Sequence, residues 1–345
     1  MLVLLTTRLA PNPPLCRDGT LVPSPRARPL VPVDDIKIHP RDNDLVLGTH
    51  GRGIWILDDI GPLERLAPDV VASNAFLFPV RRATSYNLYE PQGWTPGIWA
   101  APNPEAGARL RYWLAAEADD LTLRITDPAG APIRTLEATG KAGMNEVIWD
   151  LRLAEPDASG DEMDPGPRVL PGTYLVELET GADVVQTEVT VRLDPRVEMA
   201  RRPLMARHLT MLESYRLSGP VEKAEDALDA AGDHVDDVER RLGQRAGTAD
   251  AEAIASARRT IEELEERLDD LADAAEVWED IESLTAPPHA DALFLLERGW
   301  ERIPPLIDEV NAFTSGALRS LLGRVYTEAG MPDLGEPVPV PQRSR

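Results

Sequence analysis

The chain has little cysteine, lysine and histidine, and it has no long apolar run. Its 345 residues include a single cysteine, Cys16, so no internal disulfide framework is predicted. Five histidines are present, but none stands in a His-x-x-x-His or Glu-x-x-His pattern, so no metal centre in a helical bundle is predicted. No run of 18 apolar residues occurs, and a membrane-spanning helix is therefore not expected.

The charge balance is strongly acidic. The chain carries 59 acidic and 36 basic residues, for a net charge of −23. Nucleic acid and anionic membrane surfaces need a basic face, so both are disfavoured as partners. Phosphate loops, dinucleotide fingerprints and Gly-x-Ser-x-Gly elbows are absent, and neither a catalytic residue nor a cofactor is predicted. The acidity suits a high-salt environment, and the excess of arginine over lysine fits GC-rich coding equally well.

The first 30 residues hold six prolines and no hydrophobic periodicity, which predicts a disordered leader over residues 1–30. The opening MLVLL run is too short for a signal peptide and follows no positively charged region. The sequence therefore leaves localisation open.

A short β-rich segment follows over residues 31–62. Apolar residues alternate over residues 35–39, and further apolar runs occupy residues 45–48 and 54–57. This is about one blade of a β-propeller. A blade cannot bury its own faces, because blades stack on neighbours to form a core. We expect β-structure here with an exposed edge and little core of its own.

The middle of the chain predicts an irregular connector over residues 63–107 and an all-β unit over residues 108–195. Six short strands with turn residues between them indicate an immunoglobulin-like (Ig-like) sandwich, with Trp149 in its core. The predicted strands are residues 109–114, 121–126, 133–136, 146–151, 173–179 and 184–193.

Helical periodicity begins near residue 204 and predicts a bundle of three or four helices over residues 199–330. Two heptad stripes predict an antiparallel hairpin from residue 221 to residue 284, with Pro220 in the first turn. A later helix is expected to break or kink at Pro304 and Pro305, and another to run over residues 315–329. Residues 331–345 are predicted to be a disordered tail. The stripes are Val221, Ala224, Leu228, Ala231, Val235, Val238 and Leu242, and Ile254, Ala257, Ile261, Leu264, Leu268, Leu271, Ala275 and Trp278.

Several strings resemble one family of bacterial proteins. THGRGIWILDD (residues 49–59) resembles the closing blade of BNR/Asp-box propellers of the sortilin-like, WD40/YVTN type, which are often labelled glycosyl hydrolases. NPEAGARLRYWL (103–114), NEVIWDLR (145–152), LPGTYLVEL (170–178) and VRLDPR (191–196) resemble the C-terminal extension of those proteins, where a FlgD-like Ig module occurs. The resemblance covers roughly residues 31–335. The Ser-x-Asp-x-Gly-x-x-Trp Asp-box itself is absent.

His50 and Arg52 are the candidate binding residues. They flank Gly51, and in a propeller such a pair could point toward the central channel and bind an anion or a sugar hydroxyl. In the competing structural interpretation, the two glycines form a bulge or allow close strand packing, and Arg52 pairs with Asp58 or Asp59.

Other acidic groups are better explained as structural features than as sites. Six aspartates within residues 34–59 lack the ligand spacing of an EF-hand, so no calcium site is predicted. The acidic loop at residues 157–164 implies no fixed ligand geometry. The dense acidic run at residues 262–273 occupies the polar face of a helix, where a solvated surface is expected.

The predicted fold class is multidomain β plus α: a partial propeller blade, an Ig-like sandwich and a C-terminal antiparallel helical bundle. The predicted function is that of a non-catalytic accessory and interaction region, a fragment of a BNR-repeat propeller protein. A protein partner, further propeller blades or a carbohydrate are the expected ligand classes. The alternative is part of a glycoside hydrolase or sialidase-like enzyme, which requires two carboxylates facing one cleft.

Overall fold

The computed structural model describes residues 32–87, 105–154, 165–181 and 183–343. The predicted leader and the acidic loop at residues 157–164 lie outside these residues. The chain forms two compact units, each built from three stretches of sequence. Unit 1 comprises Met1–Thr84, Asn103–Asp150 and Gly172–Val191; unit 2 comprises Ser85–Pro102, Leu151–Pro171 and Arg192–Arg345. The architecture is therefore multidomain, with β-sheets and a helical C-terminal region.

Unit 1 begins with a three-stranded antiparallel sheet, as the apolar runs predict. Its strands are β1 (Val33–Ile38), β2 (Leu45–Thr49) and β3 (Ile54–Leu57), in the order β1-β2-β3. Leu47 is buried, whereas Ile36, Ile38, Ile54 and Ile56 are exposed. The sheet therefore has very little core of its own, which confirms that expectation.

Two short helices and two short strands follow within the segment that was predicted to be an irregular connector. They are α1 (Gly61–Arg65), α2 (Pro68–Val71), β4 (Ala75–Leu77) and β5 (Ala83–Ser85). Phe78 and Val70 are buried with Trp113 in an apolar cluster. The strands β4 and β5 were not predicted, because three residues are too few to show an alternating pattern. Residues 88–104 lie outside the described part of the chain.

The remaining strands of unit 1 match all six predicted from alternation. They are β6 (Ala108–Leu114), β7 (Leu121–Thr126), β8 (Pro132–Leu136), β9 (Gly143–Trp149), β10 (Gly172–Thr180) and β11 (Asp183–Leu193). They form two antiparallel sheets, one ordered β5-β11-β10-β7-β8 and the other β4-β6-β9.

Trp149 links the three-stranded β4-β6-β9 sheet to the five-stranded sheet of unit 1. Its side chain on β9 is fully buried, and its ring meets Tyr174 of β10 edge to face, with centroids 5.4 Å apart. On β6 the inward positions alternate, so that Leu110 and Tyr112 are fully buried. The sequence prediction that Trp149 is a core residue is confirmed.

Unit 2 is built on long antiparallel helices. These are α3 (Arg201–Leu242), α4 (Thr248–Ser283), α5 (Ala290–Ala312) and the short α6 (Arg319–Leu322), with a π-helical segment, Phe313–Leu318, before α6. The predicted stripes form one core, in which Leu228 of α3 and Leu268 of α4 are fully buried. Gly299 of α5 allows close helix approach, because a Cβ there would lie 2.7 Å from Cβ of Ala274.

The prediction that Pro220 lies in the first turn of a helix was wrong, and the break considered for Pro304 and Pro305 does not occur. Helix α3 starts 19 residues before Pro220 and continues through it, and α5 continues through Pro304 and Pro305. A proline in a helix interior removes one hydrogen bond and crowds the preceding turn, at a cost of about 3 kcal/mol. Apolar side chains on both sides, such as Leu217 and Val221, are buried, and this packing offsets that cost.

The C-terminal part also differs from the prediction. The last α-helix ends at Leu322, not near residue 329, and only a short 3₁₀ turn, Glu328–Gly330, follows. Residues 331–343 are not a free tail. Val338 is buried, and its backbone N–H and carbonyl both bond the Asn311 side chain at 2.8 Å. An amide side chain has both an acceptor and donors, so Asn311 can bond the N–H and the carbonyl of one residue. Amino-acid composition alone does not reveal such a contact.

Candidate functional site

His50 and Arg52 lie at the tip of the hairpin between β2 and β3. Gly51 and Gly53 both have φ near +74°, and no atom lies within 4 Å of a Cβ built at either, so they serve the turn and not close packing. The Thr49 hydroxyl donates to the Gly53 carbonyl oxygen at 2.6 Å and closes the turn. The proposed binding pair assumed that a strand continues through His50 and Arg52 and places both on one face. The structure has a turn there instead.

Both candidate side chains are exposed. Nδ1 of His50 lies 3.3 Å from a carboxylate oxygen of Asp34, while the Arg52 carbonyl oxygen accepts from the Trp55 indole at 3.1 Å. The expected pairing of Arg52 with Asp58 or Asp59 does not form. Instead Asp59 accepts from the Arg111 guanidinium at 3.2 Å. The tip thus presents an imidazole and a guanidinium to solvent without a surrounding pocket.

The strand-end aspartates act in turns, as the structural interpretation expected. Asp44 accepts from the backbone N–H of Asp59 at 2.9 Å and from Arg81 at 3.2 Å. The hydrogen bond from Arg41 lowers the pKa of the Asp42 carboxyl. Among the residues that the structure describes, no group of three or more His, Cys, Asp or Glu side chains could hold a metal ion.

The four exposed isoleucines of the β1–β3 sheet occupy both of its faces. Register places Ile36 opposite Leu47, and Ile38 opposite Leu45, so this pair shares one face. Ile56 lies opposite Val46 and Ile54 opposite Gly48, on the other face. Their exposed fractions are 47% for Ile36, 52% for Ile38, 73% for Ile54 and 61% for Ile56.

A second candidate site lies in unit 2, where three arginines surround Glu282 at the C-terminal end of α4. The carboxylate of Glu282 accepts from Nη2 of Arg152 at 2.7 Å and from the backbone N–H of Arg168 at 2.8 Å. Nε of Arg207 donates to the carbonyl oxygen of Ile281 at 3.1 Å, and Nη2 donates to that of Glu282 at 2.6 Å. Arg207 therefore caps the last carbonyls of the helix, where a cation is favoured.

Neighbouring residues hold these arginines in place. Nη1 of Arg152 donates to the Gly166 carbonyl oxygen at 2.7 Å, and its guanidinium stacks 5.7 Å from the Trp278 ring centroid. Nη1 of Arg168 donates to the Asn87 side chain at 2.8 Å. Burial lowers the pKa of Arg207; Glu282 opposes this shift, and the Arg168 cation lowers the pKa further.

A small pocket of about 50 Å³ adjoins this cluster. Its walls include Arg168, Arg207, His208 and Glu282, together with the apolar side chains of Leu204 and Met211. Arg207, His208 and Glu282 are each at least nine-tenths buried. Sequence reasoning missed this cluster, because its members are separated by up to 130 residues and match no short motif.

No protein-family model and no curated protein matches this chain. Among solved structures, CopC from Methylosinus trichosporium OB3b matches with 13% identity over 36% of this chain and 99% of that protein, at a TM-score of 0.20. A TM-score this low carries no argument about fold or function. Among the described residues, no helix is both long enough and apolar enough to cross a membrane.

Proposed function

We propose that this chain is a non-catalytic accessory and interaction region of a BNR-type propeller protein. In this proposal β1–β3 is part of a propeller blade that stacks on neighbouring blades, and the other two sheets of unit 1 form a FlgD-like Ig module. The helices of unit 2 are an accessory bundle with a structural or adhesive role.

The observation that carries the proposal is the exposure of isoleucines on both faces of the β1–β3 sheet. A sheet that covers a single core has one apolar and one polar face. A propeller blade is covered on both faces by its neighbours, so both of its faces are apolar. Ile36 and Ile38 on one face, and Ile54 and Ile56 on the other, fit the second arrangement. Apolar patches of this kind mark interaction surfaces.

The enzyme alternative receives less support from the described residues. Glycoside hydrolysis by the usual route needs two carboxylates about 5 to 10 Å apart on either side of a substrate. Glu282, the acidic residue in the walls of the buried pocket, is held by Arg152 and by the backbone of Arg168. The exposed His50 and Arg52 lie on a hairpin tip, where they could contact a ligand but do not form an enclosed site.

The test is a double substitution, Ile54→Lys with Ile56→Lys, on the face where the isoleucines are most exposed. An Asp-box propeller lacking its last blade would be supplied as a separate chain, and binding to this protein measured by calorimetry. We expect the wild type to bind and the double variant to lose at least tenfold in affinity, because each charge would have to be buried in the interface.

Val184→Lys is the matched control, since Val184 is an exposed β-branched residue on β11, with a 55% exposed fraction. It should bind like the wild type. Equal binding by all three proteins, or no binding by the wild type, would contradict the proposal. Turnover of a fluorogenic glycoside that disappears in a His50→Ala variant would favour the enzyme alternative.

A further inference from the structure

The pocket beside Glu282 has an excess of positive charge, although the chain as a whole is acidic. The guanidinium groups of Arg152 and Arg168 approach the single carboxylate of Glu282, and that of Arg207 bonds the backbone carbonyl oxygen of the same residue. The charges of the cluster therefore sum to +2, in a chain whose net charge is −23. The carbonyls at the end of α4 offset only part of this excess, since a helix terminus is equivalent to about half a charge.

Some guanidinium N–H groups of Arg168 and Arg207 have no acceptor within the described part of the chain. Nη1 of Arg168 bonds Asn87, but its Nε lies 3.9 Å from the Glu282 carboxylate, beyond hydrogen-bond distance. Its Nη2 has no acceptor among the described residues. Arg207 uses Nε and Nη2 on helix carbonyls, and its Nη1 has no acceptor within the described part of the chain. The Arg207 residue is 8% exposed as a whole, but Nη1 is not one of the fully buried polar atoms that lack a partner, so this donor keeps contact with solvent.

This arrangement favours an anionic ligand. The unused N–H groups of Arg168 and Arg207 carry a positive charge, and hydrogen bonds from a charged donor are stronger than those between neutral groups. Two like charges in a partly buried environment also repel each other, as the effect of Arg168 on the pKa of Arg207 indicates. An anion between the two guanidinium groups would use these donors and relieve the repulsion.

We propose that this pocket binds a small oxyanion, of the carboxylate or phosphate type, between Arg168 and Arg207. Guanidinium groups match paired oxygens of either anion with short, charge-assisted hydrogen bonds. The pocket volume of about 50 Å³ exceeds the space that one water needs and suits a small anion, not a sugar. The nonpolar side chains of Leu204 and Met211 in its walls lower the local dielectric and strengthen the attraction.

The full chain would be titrated with inorganic phosphate by calorimetry at pH 7.5, with ionic strength held constant by sodium chloride. Acetate would be titrated in a parallel series. We expect saturable binding of at least one of the two, and the stronger of them identifies the oxyanion type. Arg168→Gln should weaken that binding at least tenfold, because it removes the charge and the unused donors while leaving the backbone bond to Glu282.

Arg319→Gln is the matched control, since Arg319 forms an exposed ion pair with Glu328 at 2.7 Å. It should bind like the wild type. Glu282→Gln removes the competing carboxylate, so it should bind the anion at least as tightly and regain melting temperature when the anion is added. The proposal fails if the wild type shows no saturable binding, if Arg168→Gln binds like the wild type, or if Glu282→Gln binds more weakly.

Discussion

Truncating Trp149 to alanine is the most direct test of how unit 1 is held together. The side chain is fully buried, and the ring makes an edge-to-face contact with Tyr174 at 5.4 Å and an interplanar angle of 73°. The backbone at Gly107, just before β6, also packs tightly against the backbone of Trp149. A Cβ built on Gly107 would already lie 2.2 Å from the Trp149 carbonyl oxygen.

The magnitude follows from these contacts. A buried tryptophan replaced by alanine costs about 3 to 5 kcal/mol in lost transfer free energy and cavity formation. Loss of the aromatic pair with Tyr174 adds roughly 0.5 to 1.5 kcal/mol. We expect the unfolding free energy of unit 1 to fall by about 3.5 to 6.5 kcal/mol, which is a large part of the 5 to 15 kcal/mol typical of a domain.

Because the chain has two compact units, a single melting curve would mix their transitions. Native-state amide exchange measured on β6 and β9 reports the opening free energy of unit 1 directly. Trp55→Ala is the control, since Trp55 is only half-buried on the β1–β3 sheet and should cost about 1 kcal/mol. A change below about 1 kcal/mol for Trp149→Ala would refute the reasoning.

Two further predictions concern the helical seam and a buried tyrosine. Leu264→Asp should remove most of the helical circular dichroism of the hairpin, because an unpaired charge in the seam costs more than about 4 kcal/mol. The exposed pair Glu263→Lys with Glu266→Lys should change the free energy of unfolding by less than about 1 kcal/mol. Equal losses of stability in the two variants would disprove this prediction. Burial, with a smaller effect from Asp127, raises the pKa of Tyr174 to about 12. The folded chain therefore keeps a proton on Tyr174 that the unfolded chain releases near pH 10. The free energy of unfolding should be unaffected by this group below pH 10 and should fall by about 2 to 3 kcal/mol between pH 10 and 12. In denaturant titrations, Tyr174→Phe should remove that decline.

Local sequence patterns were sufficient for most of the secondary structure. Alternation predicted six strands of unit 1, because each of them buries one face and period two is then visible. The heptad stripes predicted the seam of α3 and α4, because a helix that packs along its length repeats its apolar residues every three or four positions. The helix start at Pro220 was wrong, since burial on both sides of the proline outweighed its local preference, and the last helix ends at Leu322, before Gly323, not near residue 329.

Of the two candidate sites, one could be predicted from the sequence and the other could not. His50 and Arg52 were found from a short motif, and the structure places them on an exposed turn. The Glu282 cluster was not predictable, because Arg152, Arg168 and Arg207 are ordinary polar residues in their local segments.

The sequence by itself determined the multidomain β-plus-α class, the strands with full alternation, the helical seam and the acidic net charge. These properties depend on residues within one or two turns or strand lengths, or on composition alone. The tertiary structure alone decided that Val338 is buried, that helix α3 passes through Pro220, and that three distant arginines converge on Glu282. The physical reason is that burial and charge pairing are set by chain segments that meet only after folding, and their free energies outweigh local preferences.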